Sequence, residues 1–303
     1  DEEENAAAAD SKPLSPKVPA PRHTSSTSFS TELSRMTTFH GVKLDTFDKS
    51  VNMSKDCMTS IVESKTVKLN RLKANRYNWV KYNQTHLSRI YPKGSRVNSS
   101  NFSPITAWSN GCQMAALNIQ TSDVPRRIND GYFRRNGNCG YVLKPPTLIS
   151  RDAPQPLPIS LSIKILCGNC LPKAKDNKKS INLYVNVSVS DSSASDGGEI
   201  INGYKTHHVQ NNGFNPIWIQ EESFKFKVES PNIAVLQISV WDKGDVANAD
   251  DFVGSASIPV SCIREGFRSV RLFDANNKRN GVFECASLLV EVKFTRNAGI
   301  RMY

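Results

Sequence analysis

The sequence predicts a chain of two parts, an α/β half-barrel followed by an all-β sandwich. Over residues 42–146, short apolar runs alternate with helix-like stretches, a pattern typical of parallel strands joined by helices. Residues 159–297 repeat apolar and polar side chains with a period of two, which is typical of antiparallel strands. A Pro-rich segment at 147–158 separates the two patterns and predicts a linker.

Residues 1–41 differ from the rest of the chain in composition. They begin with the acidic run DEEEN and continue as a stretch rich in Pro, Ser and Thr. Such a segment buries too little apolar surface to offset the loss of chain entropy on folding. We therefore predict a disordered acidic linker at 1–41.

Four short apolar runs define the strands of the first part. They lie at 58–62, 87–91, 112–118 and 140–144. With helices between them, four strands make about four βα units, which is half of an eight-stranded TIM-like barrel. The first part is therefore predicted to be a half-barrel.

Helices are predicted in the connections between these strands. The first covers 64–83, with Ser64 as its N-cap. Its apolar stripe consists of Leu69, Leu72 and Val80. A short second helix is predicted at 104–108, whereas the stretch 121–138 is a polar excursion before the last strand.

The second part contains strands of two strengths. Clear period-two runs lie at 159–165, 185–189, 224–228, 236–240 and 288–294. Weaker runs lie near 204–209, 252–258 and 268–272. About eight strands of this kind predict an antiparallel sandwich.

Charge is distributed unevenly along the chain, whose formal net charge is +11. Residues 42–150 contain 17 Lys and Arg against 6 Asp and Glu, so the excess lies on the half-barrel. A basic surface favours an anionic partner: a phosphoinositide headgroup, an acidic membrane surface or nucleic acid. No nucleic-acid motif occurs, so we predict no nucleic-acid partner. A solvated basic surface without a partner is the alternative.

The seven scattered cysteines and the absence of long apolar runs indicate the compartment in which the protein is expected. An odd number of cysteines inside strand-like runs is typical of free thiols in a reducing compartment, so we predict a cytoplasmic protein. The pair Cys167-x-x-Cys170 has no second CxxC partner, which disfavours a metal or redox site. No apolar run approaches 18 residues, and the acidic N-terminus has no signal-peptide core.

Short sequence motifs in both parts of the chain resemble those of one protein family. The run SRIYPKGSRVNSSNFSP at 88–104, the word Trp108-x-x-Gly111-Cys112-Gln113 and the run NGNCGYVLKP at 136–145 resemble the Y-box of eukaryotic phosphoinositide-specific phospholipases C. The runs NNGFNPIW at 211–218, VWD at 240–242 and DFVG at 251–254 resemble the C2 domain of the same family. The resemblance implies the C-terminal portion of such an enzyme, with residues 42–146 as the Y half-barrel and 159–297 as the C2 domain.

This resemblance implies an activity and also a gap. The family hydrolyses phosphatidylinositol 4,5-bisphosphate to diacylglycerol and inositol trisphosphate in intracellular signalling. Its two catalytic histidines and its Ca²⁺ ligands lie in the X half of the barrel, which this sequence does not contain. None of the five histidines resembles them, so we expect no catalytic residue here and no hydrolysis by the isolated chain. The alternative is a catalytically inactive phosphoinositide-binding or scaffold relative.

The resemblance assigns substrate binding to three residues. Arg89 would bind a headgroup phosphate, Tyr91 would pack on the inositol ring, and Ser60 would hydrogen-bond the headgroup. Expected partners are the phosphoinositide lipid, an anionic membrane surface and an X half-barrel. Lys93 and Arg96 are expected to shape the following loop.

The C2 domain carries a candidate calcium site. C2 domains hold Ca²⁺ with carboxylates on loops at one end. Here Asp242, Asp245 and Asp251 are the candidate ligands, but the loop register is shifted and Asn182 stands where a ligand Asp is usual. The alternative is a structural C2 domain braced against the barrel. Either version predicts a peripherally membrane-associated protein.

Overall fold

The computed structural model describes residues 30–70, 72–150, 152–175, 181–192, 199–218, 223–244 and 249–295. The predicted linker at 1–29 lies outside these ranges. Helix α1 (Thr31–Met36) and strand β1 (His40–Val42) occur within 30–42, so the structure differs from the disordered linker predicted for 1–41. The described residues from Phe39 onwards belong to one compact unit.

A parallel sheet of four strands forms the first part. Its order follows the chain: β1, β2 (Cys57–Val62), β3 (Leu87–Tyr91) and β4 (Met114–Ala115). All three pairings are parallel. Parallel strands in chain order, with helices between them, are what half of a βα barrel requires.

Two of the four predicted strands were wrong in extent or type. The strand predicted at 112–118 is reduced to Met114–Ala115. The run at 140–144 is apolar like a buried strand but is not one, because no described strand pairs with it. The first part still has four strands, because β1, which was not predicted, replaces the strand predicted at 140–144.

The helix predicted over 64–83 is two helices. Helix α3 (Glu63–Asn70) ends before Leu72, and α4 (Lys73–Thr85) begins after it. The break changes the phase of the apolar stripe, so Leu72 is 62% exposed, whereas Trp79 and Tyr82 are fully buried. Together with α2 (Phe47–Ser50), α4 builds the half-barrel core, in which Phe47 stacks on Trp79.

The polar excursion at 121–138, for which no helix was predicted, contains helix α6 (Val124–Arg134). Asp123 caps it by accepting a hydrogen bond from the amide of Arg126, and Pro125 lies in its first turn. Its apolar residues, Val124, Ile128 and Tyr132, recur every four positions. That spacing was the available signal, but the dense charge obscured it.

Shorter helices complete the first part. Helix α5 (Ile105–Ser109) lies one residue from its predicted place, and α7 (Pro146–Ile149) begins the predicted linker. Within the described ranges, no helix is both long and apolar enough to cross a membrane.

The second part is a sandwich of eight antiparallel strands in two sheets. The strands are β5 (Ile159–Asn169), β6 (Leu183–Ser192), β7 (Glu199–Lys205), β8 (Phe224–Val228), β9 (Val235–Asp242), β10 (Asp251–Pro259), β11 (Gly266–Arg271) and β12 (Ser287–Thr295). One sheet has the order β10-β9-β6-β7 and the other β11-β12-β5-β8. The predicted strand count and the sandwich class are confirmed.

The half-barrel and the sandwich share an apolar junction. It is formed by Ile105, Trp108, Ile128, Tyr132 and Leu148 from the first part and by Ile233 and Val235 from the second. Trp108 stacks on Tyr132 with ring centres 4.2 Å apart. Helix α6 approaches β10 so closely that a Cβ at Gly131 would lie 2.4 Å from the carbonyl oxygen of Ser257.

Candidate functional site

The two faces of the parallel sheet differ in exposure. One face carries Thr59 and Ile61 of β2 and Ser88 and Ile90 of β3, each at most 2% exposed. Helices α3 and α4 pack on these strands. Side chains alternate along a strand, so the residues between them point to the opposite face. That face stays partly open to solvent.

The three predicted substrate-binding side chains lie together on the open face. Ser60 pairs with Arg89 across β2 and β3, and Val62 pairs with Tyr91 one step further on. The guanidinium carbon of Arg89 lies 5.3 Å from the ring centre of Tyr91, within cation–π range. Ser60 is exposed, and Arg89 and Tyr91 are half-buried. The cluster therefore presents a hydroxyl, a cation and an aromatic ring at the carboxyl ends of two neighbouring strands.

A buried ion pair holds the loop that follows β3. Arg96 donates from Nε to Oε1 of Glu63 at 2.6 Å and from Nη2 to Oε2 at 2.7 Å. The backbone amide of Lys93 also donates to Oε1 of Glu63, at 2.9 Å. Burial raises the pKa of Glu63, but these hydrogen bonds and the charge of Arg96 outweigh it, so the pKa of Glu63 is lowered. Sequence reasoning gave Arg96 a loop-shaping role but missed Glu63 as its partner.

The far end of the same loop is tied to helix α6. Asn101 donates its backbone amide and its side-chain amide to the two carboxylate oxygens of Asp123, at 2.7 and 3.0 Å. Asn118 donates its backbone amide to Oδ1 of Asn101 at 2.6 Å. Because Asp123 also caps α6, the loop beside Arg89 and Tyr91 is coupled to the helix that packs on the sandwich.

The motif Gly111-Cys112-Gln113 has a structural role beneath the site. The side chain of Gln113 accepts from the amide of Ser88 at 3.0 Å and donates to the carbonyl of His86 at 2.9 Å. These bonds replace backbone pairing, which explains why β4 is short. Burial raises the pKa of the Cys112 thiol to about 12, so this thiol packs and does not act as a nucleophile.

His86 has the contacts of a structural residue. Its ring stacks on Tyr82 with centres 4.7 Å apart. Its Nε2 lies 3.2 Å from the carbonyl oxygen of Met53, and its Nδ1 lies 2.9 Å from the hydroxyl of Thr85. The other described histidines lie at the start of β1 and in the sandwich, away from the carboxyl ends of β2 and β3.

Two candidate ligands in the acidic loop of the sandwich have partners within the protein. Asp242 is buried and accepts from the amide of Asn182 at 2.9 Å. Asp251 pairs with Lys175, whose Nζ lies 2.6 Å from Oδ1. Asp245 lies outside the described residues. A calcium site at Asp242, Asp245 and Asp251 therefore stays a prediction.

A neighbouring carboxylate, Asp250, is bound in the same way. It accepts from the hydroxyl of Tyr184 at 2.5 Å and from the amide of Gly244 at 2.9 Å, and Lys205 lies 3.8 Å away. These hydrogen bonds, the one from Tyr184 first, lower the pKa of Asp250. Burial and the same carboxylate raise the pKa of Tyr184.

Across the described ranges, no group of three or more His, Cys, Asp or Glu side chains is placed to hold a metal ion.

Family profiles match both parts of the chain. The profile "Phosphatidylinositol-specific phospholipase C, Y domain" matches residues 33–147, and the C2 domain profile matches 159–275. The chain belongs to the phosphoinositide-specific phospholipase C family. It carries the Y half-barrel and the C2 domain, as the sequence words predicted, and the fold class is confirmed.

Individual relatives agree with this assignment. The chain is 36% identical over 252 residues to 1-phosphatidylinositol 4,5-bisphosphate phosphodiesterase delta-4 of Xenopus laevis, covering 78% of this chain and 31% of that protein. It is 34% identical over 278 residues to the human delta-3 enzyme, covering 88% and 34%. The crystal structure of S. officinalis PLC21 superposes with a TM-score of 0.73 at 30% identity, covering 88% of this chain and 33% of that one. The chain thus spans about a third of the length of these relatives.

Proposed function

We propose that this chain supplies the headgroup-binding wall of a phospholipase C that hydrolyses phosphatidylinositol 4,5-bisphosphate to diacylglycerol and inositol trisphosphate. The observation that carries the proposal is the cluster of Ser60, Arg89 and Tyr91 at the carboxyl ends of β2 and β3. In βα barrels, that end of the strands is where active sites lie. The curated relatives are named for hydrolysis of this lipid.

The chemistry of the cluster suits a phosphorylated inositol. The guanidinium of Arg89 offers a planar fork of donors, and each charge-assisted bond to a phosphate contributes about 1.5–3 kcal/mol where water is excluded. The ring of Tyr91 presents an apolar surface to the ring carbons of the sugar. The hydroxyl of Ser60, beside Arg89, can donate to a second oxygen.

The open face also supports an X half-barrel as the partner of this chain. Parallel sheets occur almost only with both faces covered. Here one face is covered by α3 and α4, whereas the face with Arg89 is partly solvated. A second half-barrel would close over that face and bring the general acid, the general base and the catalytic Ca²⁺ that phosphodiester cleavage requires. The residues of this chain would bind and orient the headgroup.

For the C2 domain we propose a bracing and membrane-facing role that does not depend on Ca²⁺. Its junction with the half-barrel is apolar and closely packed at Gly131. Lys175 and Lys205 neutralise the acidic loop that a Ca²⁺ ion would otherwise occupy. The protein is then a cytoplasmic enzyme that associates peripherally with an anionic membrane.

The test is headgroup binding by the purified chain. Inositol 1,4,5-trisphosphate should bind the wild-type chain in calorimetry, and Arg89→Ala should weaken binding at least tenfold. Lys81→Ala, which removes an exposed cation from α4, is the matched control and should leave binding unchanged. Equal binding by the Arg89→Ala and wild-type chains would refute the assignment.

Measuring lipid hydrolysis distinguishes an active phospholipase C from a catalytically inactive relative. The chain alone should not hydrolyse phosphatidylinositol 4,5-bisphosphate, and adding an X half-barrel from a relative should restore hydrolysis that depends on Arg89. Robust turnover by the chain alone would overturn the proposed division of labour. Binding without turnover in the reconstituted mixture would identify an inactive phosphoinositide-binding relative.

A further inference from the structure

A polar cavity of about 580 Å³ lies where the half-barrel meets the sandwich. Helix α3, the loop after β3 and the start of α5 line it from the half-barrel, and Glu199 at the start of β7 lines it from the sandwich. Most of its lining side chains are polar, and Val67, which is 54% exposed, lies at its opening to solvent. The volume is that of an ordinary small-molecule site.

Glu199 gives the cavity a carboxylate without a cation beside it. Its Oε1 accepts from the hydroxyl of Ser103 at 2.6 Å, and Ser190 supplies a second hydroxyl. Among the described residues, no Lys, Arg or His forms an ion pair with Glu199. Burial raises the pKa of Glu199, and the bonds from the two serines offset this only in part. The carboxylate is therefore partly desolvated with no positive charge to compensate it.

The cation that lines the cavity is already bound elsewhere. Arg96 forms the ion pair with Glu63 described above, and its Nη1 donates to the hydroxyl of Ser100 at 3.0 Å. The charges of Arg96 and Glu63 cancel, so the described lining keeps the single negative charge of Glu199. A desolvated carboxylate without a counter-charge is unfavourable, and a bound cation would relieve it.

A second acceptor in the lining has no partner. Oδ1 of Asn70 is buried, and within the described part of the chain it accepts no hydrogen bond. Buried amide oxygens nearly always have a donor, so an unpaired one indicates a place where a ligand can donate. Thr66, one turn earlier on α3, donates its hydroxyl to the carbonyl of Glu63 at 2.6 Å and keeps lone pairs for a further donor.

We propose that this cavity binds a primary ammonium group, held by the carboxylate of Glu199 and the amide oxygen of Asn70. Such a group has three N–H donors and no acceptor, which matches a lining that offers carboxylate, amide and hydroxyl oxygens. Phe102 and Val67 supply apolar surface for the alkyl chain that carries the ammonium. A guanidinium fits less well, because its planar fork needs both carboxylate oxygens and two serines already donate to Glu199.

The test is an NMR titration of the purified chain at constant ionic strength, with three probes that share one alkyl chain. n-Butylammonium has charge and donors, butyltrimethylammonium has charge without N–H donors, and 1-butanol has no charge. n-Butylammonium should bind at least tenfold more tightly than either of the others. The formal net charge of the chain is +11, so non-specific attraction does not favour a cation. Equally tight binding of butyltrimethylammonium or 1-butanol would refute the proposal.

Two further probes distinguish the sources of the ammonium group. Spermidine represents a free polyamine, and Nα-acetyl-lysine methylamide represents the lysine side chain of a partner protein. The probe that binds more tightly identifies the source. If both bind at least tenfold more weakly than n-butylammonium, the cavity does not accept an ammonium on a natural carrier and the proposal is overturned.

Substitution of Glu199 tests the charge. Glu199→Gln keeps the shape of the side chain and should weaken binding of n-butylammonium at least tenfold. Its melting temperature should be unchanged or higher, because no carboxylate is left desolvated. Glu284→Gln removes the charge of an exposed Glu on the sandwich, and this matched control should bind like wild type.

Substitution of Asn70 tests the second acceptor. Asn70→Leu replaces the unpaired amide oxygen by apolar surface of similar volume, so binding should fall severalfold without loss of stability. The proposal does not survive if Glu199→Gln or Asn70→Leu folds normally and binds n-butylammonium as tightly as the wild-type chain.

Discussion

The chain contains two sheet systems that use their faces differently. In the sandwich, both sheets turn an apolar face inwards and together bury one continuous core that includes Phe226 and Trp218. In the half-barrel, the sheet buries one face against helices and leaves Ser60, Arg89 and Tyr91 on the other. The sandwich is complete in itself, whereas the half-barrel places its candidate binding residues on the face that it leaves open.

This difference suggests that the residues that stabilise the fold and those proposed to bind the headgroup lie in different parts of the chain. Residues of the sandwich core are fixed by packing on all sides, so their removal costs folding free energy. Residues on the open face have few packing partners, so they are available to a headgroup and cost little to replace. The following predictions test that separation in order of decreasing effect.

Truncation of a core aromatic should have the largest effect. Phe226→Ala should lower the free energy of unfolding by about 3–5 kcal/mol, because it removes a fully buried ring and leaves a cavity. Tyr91→Ala, the matched truncation on the open face, should lower it by less than about 1 kcal/mol. Urea unfolding followed by circular dichroism measures both. Similar losses for the two variants would show that the open face is in fact packed.

Loss of the Glu63–Arg96 ion pair should have the second-largest effect on stability. Glu63→Gln leaves the charge of Arg96 without its partner and should cost about 2–3 kcal/mol, less than the loss expected for a fully buried pair because Arg96 is partly exposed. The variant should also weaken headgroup binding, since the pair fixes the loop after β3.

The pH dependence of this pair has a definite sign. The folded pKa of Glu63 is lowered, so its stabilisation is present above the unfolded pKa of about 4.3 and is lost as the pH falls through the folded value. Wild type should therefore lose more stability than Glu63→Gln between pH 5 and pH 3. Parallel pH profiles of the two chains would contradict this account.

The junction should be sensitive to one methyl group. Gly131→Ala places a Cβ against the Ser257 carbonyl, so α6 must move away from β10, at a cost of about 1–2 kcal/mol. Asn129→Ala, on a less buried position of the same helix, is the control and should cost less than half as much. If both variants melt like wild type, the close approach of α6 to the sandwich does not hold in solution.

The same contrast shows how far sequence reasoning reaches. Most sandwich strands were predictable because they carry their own period-two pattern, from Ile159 on β5 to Phe294 on β12. The weaker run predicted near 204–209 overlaps β7 only at its end, because β7 (Glu199–Lys205) lacks that pattern. In the half-barrel, the candidate residues Arg89 and Tyr91 were chosen through their motif, and the structure pairs Arg89 with Ser60 in the strand register. Their role in binding stays a prediction.

What escaped prediction depends on contacts distant in sequence. The run at 140–144 has the apolar residues of a buried strand, but a strand needs a pairing partner, and no local pattern shows whether one is present. The partner of Arg96 is Glu63, which lies 33 residues away. Helix α6 was hidden because its charged residues serve the junction: Arg134 stacks on a ring of the sandwich instead of facing water.

The smallest expected change in stability concerns the acidic loop of the sandwich. It tests whether this loop binds Ca²⁺. Lys175 is 61% exposed and pairs with Asp251, so Lys175→Gln should change the free energy of unfolding by less than about 1 kcal/mol. Because Lys175 pairs with Asp251 and Lys205 lies 3.8 Å from Asp250, millimolar Ca²⁺ should leave the melting temperature of the wild-type chain unchanged. Lys225→Gln, an exposed cation on β8, is the control for the loss of one charge. A rise of several degrees with Ca²⁺ in the wild-type chain would establish the calcium site at Asp242, Asp245 and Asp251 and would show that the lysines yield to the ion.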